Sequence, residues 1–455
     1  MRTYDLIVIG SGSGLDVANA AAESGLKVAI VEKGRMGGTC LNRGCIPSKL
    51  LIHSADVAEA IKTSATFGID VHGYAIDFAR IVRRSNSIID SESDGIMAAF
   101  AQTENPKLFH GEGKFVGMKT VQVNGEVIMA DKILIASGTR PTIPDIDGLA
   151  GSGFITSDEA LRLASQPKVL TIIGGGYIAA ELAHFFSSLG TAVNIIQRRK
   201  TLLPAEDEEI SAKFTEVFAR KCKLYLGYQS EKVSRKGGVF EVRAKDASDN
   251  SIDVESDQLL VSVGRTPNSD TLNLAATGVE TDIEGFVKVD DYLETGARGI
   301  FALGDAVGRF LFKHSANHEA QYAFKNIMTR KDAEKAAVDY TAMPHAIFSS
   351  PQVAGVGYTE QALRRENIRY VKSVYPYSKT AMGEAIEDKD GFVKFLASAD
   401  DGRILGCHIM GSHASILIHE VLVAMRLGAD IHNLARVVHI HPALSEVVSR
   451  AASSI

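Results

Sequence analysis

The 455 residues contain no tryptophan, only four cysteines and 11 prolines, no excess of positive charge and no long apolar run. Each shortage removes a class of protein. Without tryptophan there is no indole fluorescence, which leaves tyrosine and any bound chromophore as emitters. Four cysteines do not make a disulfide scaffold, and in a reducing compartment they are expected to be thiols, catalytic groups or metal ligands. With 49 basic against 55 acidic side chains and a formal charge of −6, no basic stripe is available to neutralise phosphates. Nucleic acid is therefore not an expected partner. No window approaches the ~18 uninterrupted apolar residues of a membrane span. The N-terminal Tyr4-Asp5-Leu6-Ile7-Val8-Ile9 reads at once as a strand, with no room for a signal peptide, and a cytoplasmic location is expected. What is present fits a globular protein, 45% hydrophobic and 23% charged, with length for about three domains.

The apolar run Leu6-Ile7-Val8-Ile9 meets Gly10-Ser11-Gly12-Ser13-Gly14, then an alanine-rich helical stretch through Ala22, then Val28-Ala29-Ile30-Val31 closing on Glu32. Strand, glycine turn, helix and strand make a βαβ unit of the dinucleotide-binding kind. Gly10 permits the tight turn. Gly12 lets the backbone approach a pyrophosphate at the helix N-terminus, where unpaired N–H groups and the helix dipole favour anions. Glu32 is placed to accept hydrogen bonds from a ribose. The third position of the pattern holds Leu15, a departure that tells against the usual close helix–strand contact but not against the phosphate site.

The pattern returns at Val169-Leu170-Thr171-Ile172-Ile173, Gly174-Gly175-Gly176-Tyr177-Ile178-Ala179, a helix through Leu189, and Val193-Asn194-Ile195-Ile196. Two such units imply two dinucleotides. After the second unit's last strand the acid is missing, and Gln197, Arg198, Arg199 and Lys200 stand in its place. A carboxylate there repels a 2′-phosphate, whereas guanidinium groups bind one bidentately. The second site is expected to favour NADPH over NADH.

Between these units lies Gly37-Gly38-Thr39-Cys40-Leu41-Asn42-Arg43-Gly44-Cys45-Ile46-Pro47-Ser48-Lys49. Cysteines five positions apart point ~140° away from one another on a regular helix. A bridge between them needs an irregular turn that brings the α-carbons within about 7 Å. It would close too small a loop to add much stability, and strained bridges are the reducible ones. Pro47 suits the first turn of a helix whose N-terminus would lower the pKa of Cys45, with Lys49 as a nearby cation. A structural bridge and a zinc site are the competing uses, but Cys222 and Cys407 are isolated and make no second pair at ligand spacing. No metal is expected.

The segment from Gly37 to Lys49, placed just after an N-terminal βαβ unit, resembles the redox-active segment of the pyridine nucleotide–disulfide oxidoreductases. Ile135-Ala136-Ser137-Gly138-Thr139-Arg140-Pro141 is similar to that family's passage from the FAD domain into the nucleotide domain, and Val263-Gly264-Arg265-Thr266-Pro267-Asn268 to its exit. Ile300-Phe301-Ala302-Leu303-Gly304-Asp305 resembles the segment whose Asp binds the ribityl chain. Phe348 to Ala354 with Val356 to Glu360 resembles the opening of the dimerisation domain, and His441-Pro442-Ala443-Leu444-Ser445-Glu446 its close.

The resemblance covers essentially the whole chain and implies an α/β fold with two Rossmann-like dinucleotide-binding domains plus a C-terminal α+β dimerisation domain. Residues 1–147 would form the FAD domain, 148–263 the NAD(P)H domain, 264–337 the second part of the FAD domain, and 338–455 the dimerisation domain. The cysteine helix and the segment from Ser85 to Ala99 read as helical insertions. The resemblance also assigns residues. FAD would be held by Gly10, Gly12, Ser13, Gly14, Glu32, Lys33, Gly38, Thr39, Lys49, Gly113, Ser137, Gly138, Gly304 and Asp305. The nicotinamide nucleotide would be held by Gly174, Gly176, Tyr177, Ile178, Ala179, Glu181, Gln197, Arg198, Arg199 and Gly264. Cys40 and Cys45 would form the redox disulfide, with Cys45 facing the flavin and Cys40 meeting substrate. Lys49 and Glu181 would pair near the flavin, and His441 with Glu446 would be the acid–base dyad, supplied across a homodimer interface, with His439 a neighbour outside the chemistry.

Within the family, Gln197, Arg198, Arg199, Leu15 and the segment from Lys313 to Ala320 resemble mycothione reductases. The cysteine segment resembles dihydrolipoamide dehydrogenases, and Gly176-Tyr177-Ile178-Ala179 glutathione reductases. The chain ends Val447 to Ile455 without the further cysteine pair of mercuric reductases or the redox tail of large thioredoxin reductases. NADPH-dependent reduction of a small disulfide is the expected function. Oxidation of a lipoyl dithiol, free or on a carrier protein, with NAD⁺ is the alternative, and an idle flavin-bound scaffold the reading from another class. Arg43, His314 and the segment from Tyr377 to Glu384 are candidates for contact with the substrate's body.

Overall fold

In a computed structural model, which describes residues 2–455, the chain divides into two compact units. The first comprises Met1–Leu50, Val82–Thr142 and Gly264–Asp339. Its sheet is built on Arg2–Ile9, which pairs in parallel with Val28–Glu32 on one side and Glu126–Ile135 on the other. Lys107–His110 extends the parallel set beyond Val28–Glu32, and Ile300–Ala302 pairs in parallel with the last residues of Glu126–Ile135. An antiparallel meander, Gly113–Gly117 and Thr120–Val123, covers the first half of Glu126–Ile135.

Parallel strands are covered on both faces, which explains their unbroken apolar runs. Ile7, Ile9, Ala29 and Val31 enter one core, while Leu6, Val8, Val28 and Ile30 enter another with Leu15, Val17, Ala18 and Ala21 of the helix Gly14–Glu23. All five parallel strands end at the same edge, the edge where open α/β sheets bind ligands. Thr139–Pro141 and Arg265–Pro267, read in the sequence as passage and exit, lie side by side as an antiparallel pair. Both expected helical insertions form, one as Gly38–Arg43 and Cys45–Thr63, the other as Phe78–Gln102.

The second unit comprises Leu51–Ile81, Ile143–Val263 and Tyr340–Ile455. A parallel sheet centres on Val169–Ile173, flanked by Ala192–Gln197 and Gln258–Val261, with Lys223–Leu226 outermost. A three-stranded antiparallel sheet runs through Gln229–Lys236, Val239–Lys245 and Ser251–Ser256. The C-terminal part is a five-stranded antiparallel sheet in the order Pro344–Ile347, Gln352–Gly357, Ile404–Gly411, Phe392–Ser398, Tyr370–Pro376. Helices Ala414–Arg426 and Glu446–Ala452 share its core through Leu417, Ile418, Val447 and Val448. Among the described residues no helix is long and apolar enough to cross a membrane.

Within this unit the Lys394 side chain is fully buried among three carboxylates: its Nζ lies 2.8 Å from Asp207 Oδ1, 2.5 Å from Glu360 Oε2 and 3.4 Å from Glu209 Oε2. Burial raises the Glu360 carboxyl, but Lys394, Lys372 and Tyr370 outweigh it and bring it down to about 2. Removing one partner of a buried ion cluster strands the others, at a cost of about 3–5 kcal/mol. Lys394→Met is therefore expected to lower unfolding free energy by about that much in urea titrations. A change under about 1 kcal/mol would mean the cluster contributes nothing net.

Candidate functional site

The first glycine turn leaves the strand Arg2–Ile9 at Gly10, whose φ of 105° suits glycine and where a Cβ would lie 2.2 Å from the carbonyl oxygen of Ala136. Leu15 does not break the close helix–strand contact, because Gly14 carries it: a Cβ there would lie 2.8 Å from Val8 Cγ1. Gly12 faces open space, and Gly38 packs against its backbone. Glu32 ends its strand beside this turn. One oxygen accepts from Ser11 N–H at 2.9 Å and Ser11 Oγ at 2.7 Å, the other from Gly34 N–H at 2.7 Å. The first turn of a helix leaves its N–H groups without intrahelical acceptors.

At the neighbouring strand ends, Asp305 Oδ2 accepts from Thr139 Oγ1 at 2.7 Å, and the Ser137 hydroxyl is buried with no partner among the described residues. Lys313 donates to Ser13 Oγ at 2.9 Å, and Ser13 donates to Asn317 at 2.8 Å. This donor set fits an anionic dinucleotide such as FAD. It offers helix N–H groups and a lysine for the phosphates, and a carboxylate and hydroxyls for the ribose and ribityl chain. Gly113 serves packing against Val31, Lys33 pairs at the surface with Glu112 at 3.5 Å, and Gly264 accepts from Thr142 N–H at 3.0 Å.

The second turn repeats the geometry. Gly174 has φ of 116°, with Ser262 O 2.4 Å from where its Cβ would be, and Gly176 faces open space before the helix Tyr177–Ser188. Gln197 is buried with its amide against Gly175, while Arg198, Arg199 and Lys200 are exposed. Among the described residues no carboxylate pairs with these three cations. Ala179 is buried on the helix's inner face, and Glu181 Oε1 accepts the Phe348 N–H at 3.0 Å.

The expected irregular turn between the cysteines is a helix break. Gly38–Arg43 carries Cys40 and stops at Gly44 (φ −143°, ψ −112°), and Cys45 opens the next helix with Pro47 in its first turn. Both cysteines are free thiols, and the Cys40 thiol hydrogen-bonds Cys45. That bond, then burial and the charge of Cys45, push the Cys40 thiol strongly up, with Lys313 pulling the other way. Cys40 thus holds its proton. Lys49 lies one turn beyond Cys45, its Nζ 3.3 Å from Ser48 Oγ. Cys222 and Cys407 are buried; burial pushes the Cys222 thiol up to about 12 and Cys407 well above its ordinary value.

His441 faces solvent, 72% exposed, and its Nδ1 lies 3.0 and 3.1 Å from the two Glu446 oxygens. His441 and the Ala443 N–H hold the Glu446 carboxyl below its usual range. His439 has its own partner, Glu420, at 2.8 Å. Burial lowers the His439 ring, but Glu420 outweighs it and the net shift is upward.

Several participants had no local signature. Asn42 donates to the carbonyls of Met36 and Gly38 at 2.9 and 3.0 Å, folding the cysteine loop over itself, and Arg35 is gripped by Asp90 and Asp94. The segment proposed for substrate contact needs one correction. Tyr377 is fully buried and donates to Ser412 O at 3.2 Å, so only its exposed successors, such as Ser378, Lys379 and Glu384, can reach a ligand. Arg43 is exposed, and His314 stacks on Phe312 at 5.4 Å.

A family model described as pyridine nucleotide-disulphide oxidoreductase matches residues 4–336, and one for the dimerisation domain of the same family matches residues 343–452. Mycothione reductase of Mycobacterium tuberculosis is 36% identical over 460 residues, covering 99% of each chain. Mitochondrial dihydrolipoyl dehydrogenase of Dictyostelium discoideum is also 36% identical, over 98% of this chain and 93% of that one. Among solved structures, the HOCl-induced flavoprotein disulfide reductase RclA from Escherichia coli superposes with a TM-score of 0.88 at 26% identity, covering 99% of both chains.

Proposed function

Since the chain belongs to the pyridine nucleotide-disulphide oxidoreductases, enzymes that use FAD and a pyridine nucleotide, we propose that it reduces a low-molecular-weight disulfide with NADPH through Cys40 and Cys45. Bound FAD would supply two-electron relay between the nicotinamide and the cysteine pair. On this reading FAD is held at the first glycine turn, Glu32, Ser137 and Asp305. The nucleotide is held at the second turn with Arg198 and Arg199, and Lys49 and Glu181 tune charge at the flavin.

The thiol chemistry belongs to the chain. Cys40 Sγ gives its proton to His441 Nε2 and attacks one sulfur of the substrate; the substrate S–S bond breaks, and the first product leaves as a thiol with that proton. The Cys45 thiolate then attacks Cys40 Sγ, closing the Cys40–Cys45 bond and releasing the second product thiolate, which takes up a solvent proton relayed by His441. Glu446 at Nδ1 directs Nε2 to the sulfur. The exposure of His441 supports a dyad that serves the cysteines of a second copy, and the matching dimerisation domain fits a homodimer.

The observation that carries NADPH is the exposed Arg198-Arg199-Lys200, with no carboxylate partner among the described residues. The equal identity to a dihydrolipoyl dehydrogenase supports the reverse reading, NAD⁺-driven oxidation of a lipoyl dithiol. Steady-state rates with NADPH and NADH against mycothione, glutathione disulfide and lipoamide separate the two. NADPH is expected to lead in kcat/KM by about 10- to 100-fold, the worth of charge-assisted contacts to a 2′-phosphate. Arg198→Ala with Arg199→Ala is expected to erase that lead, whereas a wild-type preference for NADH and lipoamide would overturn the reading.

A further inference from the structure

Glu206 is 1% exposed, a carboxylate that the thiol chemistry does not use. The Tyr177 hydroxyl donates to its Oε1, and His345 Nε2 lies 2.8 Å from its Oε2. The Tyr177 and His345 rings stack at 6.1 Å with 16° between their planes. Burial raises the Glu206 carboxyl, but His345, Tyr177 and His408 outweigh it and hold it below the ordinary range.

An apolar side chain would fill this space without the desolvation cost of a buried charge, so net stability does not account for a carboxylate here. What it orients is readable along the chain. Tyr177 is the first residue of the helix that follows the second glycine turn. Glu206 closes the segment that begins with Arg198, Arg199 and Lys200. That segment touches the glycine turn through Leu203 N–H donating to Gly175 O at 2.7 Å, and it holds Leu203 at φ of 51°, which a branched side chain rarely adopts.

We propose that Glu206, Tyr177 and His345 form a latch that fixes the Arg198–Lys200 segment against the glycine turn, and thereby sets the preference for a nucleotide bearing a 2′-phosphate. The proposal rests on the nucleotide reading above. His345 is a positioning residue in it: it acts through its 2.8 Å contact with Glu206 and is assigned no contact with the nucleotide.

The test uses FAD-loaded protein carrying His345→Leu or His345→Gln, the glutamine keeping a donor toward Glu206. Two readouts are followed: the NADPH-to-NADH ratio of kcat/KM, and the rate of tryptic cleavage after Arg198, Arg199 or Lys200. His345→Leu is expected to lower the ratio about tenfold through KM for NADPH, as loss of a well-oriented charge-assisted contact does, and to speed cleavage comparably. His345→Gln is expected to restore both. Equal effects on both nucleotides, or cleavage unchanged from wild type, would overturn the latch. If the wild type prefers NADH, the nucleotide reading has failed, and the cleavage rate alone then decides whether the segment is latched. If His345→Leu does not fold, Tyr177→Phe removes the same tether and is expected to speed cleavage as much.

Discussion

Cys45→Ser is expected to lower NADPH-driven disulfide reduction by about 10⁴-fold or more while FAD stays bound, the scale seen when a covalent nucleophile is removed. The loss has two sources. A serine hydroxyl cannot form the sulfur–sulfur bond that closes each turnover, and it is a far weaker nucleophile than a thiolate at a helix N-terminus. The side chain is exposed at the first position of its helix, so the substitution opens no cavity and breaks no core contact. Long-wavelength absorbance from a thiolate against the flavin is expected to disappear, and the flavin absorbance itself to persist. Activity within about tenfold of wild type would place the redox pair elsewhere. Loss of FAD would instead assign Cys45 to folding.

His441→Ala is expected to slow thiol–disulfide exchange by about 10²- to 10³-fold and to leave reduction of the flavin by NADPH at its wild-type rate. Both halves follow from geometry. The imidazole is largely exposed and bonded only to Glu446 among the described residues, so its removal costs little stability. Its proton transfers are confined to sulfur, so steps before the cysteines do not need it. The informative control is His439→Ala. His439 neutralises Glu420, whose carboxyl burial already pushes up, so losing it is expected to lower stability and not the exchange rate. Stopped-flow flavin reduction beside steady-state turnover measures the split. Unchanged turnover in His441→Ala would remove the dyad from the mechanism.

Local pattern carried much of this molecule. Strand, glycine turn and acid occur within a short stretch of chain, and the turns at Gly10 and Gly174 have the backbone their residues implied. The cysteine pair was legible as one that a regular helix cannot bridge, and the break at Gly44 is the answer to that constraint. Leu15 misled because the close contact moved one residue back, to Gly14, and a motif template cannot register such a shift. Tyr377 opens the segment named for contact with the substrate's body yet is fully buried, because depth is decided by the fold and not by the segment. What stayed out of reach was assembled over long separations: Ser13 with Asn317, Thr139 with Asp305, Glu206 with His345. Each pair joins residues of ordinary local character, and only the fold makes them neighbours.

Counting thiols shows directly whether Cys40 and Cys45 carry the electrons. Protein left with excess disulfide substrate and protein reduced anaerobically by NADPH are each denatured, alkylated and mapped by mass spectrometry. Of the four cysteines, only Cys222 and Cys407 are expected to be alkylated in the first sample, and all four in the second. Cys40 and Cys45 alkylated in both samples, or in neither, would contradict an account in which the pair carries the electrons.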